Sequence, residues 1–212
     1  MKRRDLWATL VIGGAVGLLI QPILANNLPP QYHLGFALRV GIFAFFLIIA
    51  PFALWIASLI ARAVPTIYQF AQFAAVGTLN SFIDVGVFNL ETFFNGTPDI
   101  SNGLFAAFKA ASFLCATTNS FFWNKYWTFN AKEKPSASQV TAFYGIALFG
   151  WALNVSVATF VKSIGPQSGQ AHLALWINIV APLAGIAASL FWNFIGYKYF
   201  VFKKPAEPVA AA

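Results

Sequence analysis

Charge is scarce in this chain. Of 212 residues, 9% are Asp, Glu, Lys or Arg, and six of those are acidic. A soluble domain carries about 25% charged residues, so an ordinary water-soluble fold is excluded. Cysteine is nearly absent: Cys115 stands alone, and no disulfide can close within the chain. Histidine is limited to His33 and His172, both outside the apolar runs. No HExxH, CxxC or GxxxxGK[ST] pattern occurs, so neither a metal nor a nucleotide site is expected, and no cofactor is expected. What abounds is apolar: hydrophobic residues make up 59% of the chain, and the mean hydropathy is +0.70.

Six stretches approach the roughly 20 apolar residues that cross a bilayer, at about 6–24, 36–61, 70–93, 104–128, 140–163 and 173–202. The fold expected is an all-α membrane protein of about six transmembrane helices. Little chain remains for a soluble catalytic domain, so an enzyme is not expected. The first stretch has a basic start like a signal peptide, but its apolar part is long and Ile23 stands where a cleavage site prefers a small residue. It is read as a helix, and Gly13 and Gly17 give it a small-residue face for close packing. Ten of the thirteen Lys and Arg fall on one side: Lys2, Arg3, Arg4, Arg62, Lys125, Lys132, Lys134, Lys198, Lys203 and Lys204. The positive-inside rule then predicts a multi-pass membrane protein with both termini cytoplasmic. The net charge of +7 follows from that bias and calls for membrane lipids as neighbours, not nucleic acid.

A pentapeptide pattern recurs. Lys125-Tyr126-Trp127-Thr128-Phe129 returns 73 residues later as Lys198-Tyr199-Phe200-Val201-Phe202. At the same offset Ser112, Ala116 and Ser120 match Gly185, Ser189 and Asn193, and Gly77 matches Gly150. Four-residue spacing puts each small-residue ladder on one helix face. The expected plan is a four-helix core of two repeated helical hairpins, residues 66–204, preceded by two further helices in 1–65 and followed by a tail, 205–212. Duplicated units of this sort are common in membrane transporters. A core this small would suit a homodimer.

Polar groups inside the spans carry the chemistry. Gly77, Asn80, Asp84 and Glu91 fall on one stripe of the third helix, and Lys109, Ser112, Ala116, Asn119 and Ser120 on one stripe of the fourth. An ion near mid-bilayer costs about 2.5–3.5 kcal/mol even on the mildest scale, so it should face protein or water. Asp84 and Lys109 differ in depth by about 6 Å, within reach of a lysine side chain, and Glu91 is near enough to share the charge. Two readings stay open: an ion pair that fixes helix packing, or a transport site. In the second hairpin Val157 and Pro182 replace Asp84 and Lys109, so any charged site is asymmetric. Pro182 is expected to kink the sixth helix and free the carbonyl of Asn178, and Pro51 to act likewise in the second. At the helix ends, Lys125 and Lys198 either snorkel beside aromatic rings at headgroup level or hold a lipid phosphate, with Asn124 and Asn193 adding amide donors.

The stretch Phe73 to Asp84 resembles the opening helix of GtrA-like membrane proteins, as do Lys109-Ala110-Ala111-Ser112-Phe113, Asn124 to Phe129 and Asn193 to Phe202. The resemblance covers about residues 66–204; the first 65 lie outside it. It implies movement of a polyprenyl-phosphate-linked sugar across the membrane for cell-surface polysaccharide or glycan modification. The alternative it implies is a non-catalytic scaffold that recruits or stabilises a polyprenyl-phosphate glycosyltransferase, as in the similar anchoring subunit of dolichol-phosphate-mannose synthase. For that lipid the substrate-binding candidates are Asn80, Asp84, Lys109, Asn119, Asn124, Lys125, Asn193 and Lys198. An exporter of hydrophobic cations ranks last, because Lys109 beside Asp84 would repel its cargo.

Overall fold

A computed structural model describes residues 1–27, 34–95, 101–166, 176 and 180–203. His33, Gly96, Thr97, His172, Asn178, Lys204 and the tail 205–212 lie outside these described residues. Among them the fold is all helix: α1 (Arg3–Asn27), α2 (Phe36–Ile60), α3 (Thr66–Asn95), α4 (Asn102–Trp123), α5 (Ala137–Ser163) and α6 (Ala181–Gly196). Four are long and apolar enough to cross a membrane: α1, α2, α3 and α5. The sequence reading of six such spans meets two shortfalls. Helix α4 is diluted by Lys109, Asn119 and its Ser and Thr residues, and α6 as described is 16 residues long.

By compactness the chain divides into residues 1–130 and 131–212. In the first unit α1 packs on α2 and α3, α2 on α3, and α3 on α4. Ala8, Ile12 and Val16, spaced by four on α1, meet Leu54, Val76, Leu79 and Trp127 in one core. Apolar burial drives little helix association inside lipid, so close packing must do it. A Cβ added to Gly13 would collide with the Phe46 carbonyl oxygen, and one at Gly17 would lie 3.1 Å from the Phe43 backbone. These two glycines let α1 and α2 touch backbone to backbone. Pro51 sits inside α2, which runs through it as one helix. Helix α4 begins at Ser101, whose side chain accepts a bond from the Leu104 amide.

The second unit is the α5–α6 hairpin. Ser136 caps α5 by accepting from the Gln139 amide at 3.2 Å. Pro182 stands in the first turn of α6 as described, after Val180, whose backbone is already helical; Asn178, whose carbonyl it was expected to free, lies outside the described residues. Gly150 lies under the Asn193 side chain, and Gly185 under the Asn154 backbone.

The repeat reaches down to the backbone. Both α4 and α6 run on into a π turn, Asn124–Thr128 and Tyr197–Val201, closed by Phe129 N–H to Asn124 O and Phe202 N–H to Tyr197 O, each 2.8 Å. Each turn is tied to the preceding helix by a glutamine. Gln69 donates to the Thr128 carbonyl at 3.2 Å, and Gln139 to the Val201 carbonyl at 3.0 Å. Thr128 and Val201 are repeat partners, but the glutamines are not: they sit one helical turn apart in the repeat frame, and each still finds the equivalent carbonyl.

Candidate functional site

The α3–α4 hairpin brings four of the sequence candidates together. Lys109 Nζ lies 2.9 and 3.1 Å from the two carboxylate oxygens of Asp84. Ser112 Oγ donates to Asp84 Oδ1 at 2.5 Å. The Lys109 ammonium also stands 5.4 Å from the Phe88 ring centroid, a favourable cation–π placement. Farther along the hairpin Asn119 Nδ2 donates to Asn80 Oδ1 at 2.7 Å. Glu91 does not join the ion pair: its Oε2 is buried with no hydrogen-bond partner among the described residues. The observed helix ends put Asp84 eleven residues from the end of α3 and Lys109 seven from the start of α4, which keeps the depth difference at about 6 Å. The pair is not sealed, since the side chains keep 41% and 30% of their surface for Lys109 and Asp84. What results is a net-neutral polar ladder: an ammonium, a carboxylate and a hydroxyl, then two amides.

Beyond the ladder lies the π turn of α4. Asn124 and Lys125 are both 0% exposed. Snorkelling therefore does not describe Lys125. The turn tucks it inside, with the Tyr126 ring centroid 5.8 Å from its Nζ. Asn124 Nδ2 donates to the Ser120 carbonyl at 2.9 Å and to Ser120 Oγ at 3.1 Å. A carbonyl can only accept, so the amide is fixed with Oδ1 pointing the other way. That Oδ1, and Thr128 Oγ, are buried without a hydrogen-bond partner among the described residues. A buried polar atom left unpaired costs about 1–3 kcal/mol.

Sequence reasoning missed Asp5. It is 1% exposed and accepts three bonds: Tyr68 Oη at 2.8 Å, Trp127 Nε1 at 2.9 Å and Gln72 Nε2 at 3.1 Å. Arg4 adds a bond to Asn130 Oδ1 at 3.0 Å. The start of α1, the start of α3 and the π turn of α4 thus share one end of the unit, together with Lys2, Arg3, Arg4 and Lys125. A single acidic residue in a basic N-terminus was the signal available, and it reads as an ordinary helix-start charge.

In the second unit Asn193 covers Gly150, and its Oδ1 is buried without a partner among the described residues. Lys198 lies 5.4 Å from the Phe194 centroid and 5.6 Å from that of Tyr199. It is half-buried, unlike Lys125. The neighbouring polar contact is Asn154 Nδ2 to Ser189 Oγ at 3.3 Å.

Residues 72–202 match the family model described as GtrA/DPMS, transmembrane domain. The chain is 25% identical over 131 residues to a protein of Bacillus subtilis (strain 168) described as uncharacterized membrane protein YngA, covering 62% of this chain and 77% of that one. No solved structure matches the chain. The matched segment takes in α3 from residue 72 onward, α4, α5 and α6, and leaves out α1 and α2. This chain is a membrane protein of the GtrA family, a family related to glycosyl-lipid handling.

Proposed function

We propose that the protein carries a polyprenyl-phosphate-linked sugar across the bacterial inner membrane for cell-surface polysaccharide or glycan modification, with both its termini cytoplasmic. The observation that supports this most is the polar ladder of α3 and α4. Such a lipid needs a polar path for its head while its tail stays in hydrocarbon. Asn124 and Lys125 stand at the basic end, where the head would enter. Asn80 and Asn119 come next, about 15 Å along α4 from Lys109, counting ten residues at 1.5 Å each. The Asp84–Lys109 pair lies deepest from that end. Before substrate arrives, the pair adds no net charge to the bilayer interior, which keeps its cost low. A phosphate drawn into the ladder can take the Lys109 ammonium, while the Ser112 hydroxyl keeps Asp84 partnered. Asn193 and Lys198 are proposed as the corresponding headgroup contacts of the second hairpin, and membrane lipids as the surroundings throughout.

The test is translocation by purified protein in liposomes, read by leaflet accessibility of a labelled polyprenyl-phosphate sugar. Asp84→Asn and Lys109→Ala should each lower the rate while the protein stays folded. A wild-type protein that moves no lipid ends the proposal. If it then co-purifies with a polyprenyl-phosphate glycosyltransferase and changes that enzyme's activity, it is a scaffold instead.

A further inference from the structure

The π turn of α4 holds two polar atoms that folding does not explain. Asn124 Oδ1 and Thr128 Oγ are enclosed and have no hydrogen-bond partner among the described residues. Their side chains belong to residues 0% and 5% exposed. Native structures keep few such atoms, and each calls for a reason. The amide cannot be turned to relieve the problem, because its nitrogen is committed to the Ser120 carbonyl.

The second hairpin serves as an internal control. Its π turn closes with the same 2.8 Å bond from the residue after the turn and the same glutamine tie. There the two positions are Tyr197 and Val201. The Tyr197 ring stacks on Phe143, centroids 4.0 Å apart. An aromatic ring and an aliphatic side chain therefore suffice to build the turn. Asn124 and Thr128 are not there to make the backbone fold. A π turn widens a helix locally and is frequently found at functional sites.

The same hairpin differs beside the turn. Gly150 is covered by the Asn193 side chain, whereas a Cβ placed on its repeat partner Gly77 meets no heavy atom within 4 Å. Gly77 shares a stripe with Asn80 and Asp84, which both bond to α4. Its open side is thus next to the α4 ladder. Ser120, the repeat partner of Asn193, is the smaller side chain that leaves this room and also holds the Asn124 amide.

We infer that the π turn of α4 reads the sugar of the lipid headgroup, with Asn124 Oδ1 accepting from one hydroxyl and Thr128 Oγ hydrogen-bonding to another. This rests on the function proposed above and adds to it a division of labour. Asn124 and Thr128 discriminate among sugars, while the ladder of α3 and α4 serves any phosphate-linked head. The ligand chemistry follows from the atoms: a fixed carbonyl acceptor takes a hydroxyl donor, and a threonine hydroxyl takes either partner. The turn stands at the end where α1 begins, as the Trp127–Asp5 and Arg4–Asn130 bonds require. That is the headgroup level.

The experiment uses full-length protein in detergent and synthetic polyprenyl phosphates carrying glucose, galactose, mannose or no sugar. The wild type should bind one glycosylated lipid more tightly than the bare phosphate. Thr128→Val, which keeps the shape and removes the hydroxyl, should lower that preference by about tenfold, near the upper end for one hydrogen bond. Asn124→Leu should lower it similarly, and Thr128→Val should bind the bare phosphate as the wild type does. The thermal midpoint of ligand-free Thr128→Val should equal or exceed that of the wild type, because an unpaired hydroxyl has been removed. A wild-type sugar preference that both variants retain overturns this inference and leaves the proposed function standing. A lowered midpoint for ligand-free Thr128→Val also overturns it, since the hydroxyl is then satisfied by buried water. A wild type that binds none of the four lipids overturns the proposed function and this inference together.

Discussion

Lys109→Ala is the sharpest perturbation available. It strips Asp84 of its cation and leaves the Ser112 hydroxyl as its remaining donor. Removing one partner of a buried ion pair costs about 3–5 kcal/mol. The pair keeps 41% and 30% of its side-chain surface, so screening reduces the effect, by roughly half, to about 1.5–2.5 kcal/mol. For a chain of this length that lowers the thermal midpoint by about 3–10 °C. Asp84→Asn should cost less, since an amide oxygen still accepts from Lys109 and Ser112. The double variant removes both charges and should recover part of the loss. The double-mutant cycle should then give a coupling of about 1–2 kcal/mol. Midpoints come from thermal unfolding in detergent, and transport from the liposome assay on the same preparations. A coupling indistinguishable from zero refutes the ion pair. A double variant that regains both stability and full transport refutes its role in carrying the head, and the pair then only fixes how α3 meets α4.

Three further outcomes follow. Asp5→Ala removes the acceptor of Tyr68, Gln72 and Trp127 and should cost about 3 kcal/mol, the scale of a charged buried hydrogen-bond partner; Trp127 emission should shift as its indole N–H is released, and an unchanged spectrum and midpoint would contradict the network. Gly77→Ala should hold or raise stability by up to about 1 kcal/mol from helix propensity, whereas Gly150→Ala should lower it by driving into Asn193; thermal midpoints of the two variants decide this, and equal behaviour would contradict the difference between the hairpins. In a Cys115→Ala background, Lys132→Cys should react with a membrane-impermeant thiol reagent from the cytoplasmic side and Asn102→Cys from the outside; the reverse pattern overturns the proposed orientation.

What the sequence made legible was whatever has a short period. Apolar runs reveal helices, a 73-residue offset reveals the repeat, and stripes at helical spacing picked out Asn80, Asp84, Lys109 and Asn119 before their bonds were seen. Asp5 was not legible, because its three partners lie 63, 67 and 122 residues away and no local pattern marks them. The π turns were not legible either. Five residues are too few for a changed helical period to register, although the pentapeptide itself stood out. For Lys125 two readings were open, and burial removes one of them. Snorkelling needs a side chain that reaches the surface, whereas Lys125 is 0% exposed in a π turn whose Trp127 is bonded to Asp5.

The duplication points to where function settled. Asn80, Asp84, Lys109, Asn119, Asn124 and Thr128 are matched in the second hairpin by Leu153, Val157, Pro182, Trp192, Tyr197 and Val201. The backbone devices survive in both copies: the π turn, its closing bond and the glutamine tie. Trp192 even turns its indole N–H to the Ile146 carbonyl, so its hydrogen-bonding capacity goes to the backbone instead of to a partner amide. A copy that keeps the architecture and loses the polar set can pack cheaply in lipid. A copy that keeps the polar set carries the desolvation cost of an ion pair and of three unpaired buried atoms, Glu91 Oε2, Asn124 Oδ1 and Thr128 Oγ. The second hairpin bears a smaller cost, one unpaired buried oxygen on Asn193 and no such ion pair among its described residues; packing alone does not require the larger one. The residues that impose it are therefore the ones to which a role in handling the lipid head should be assigned.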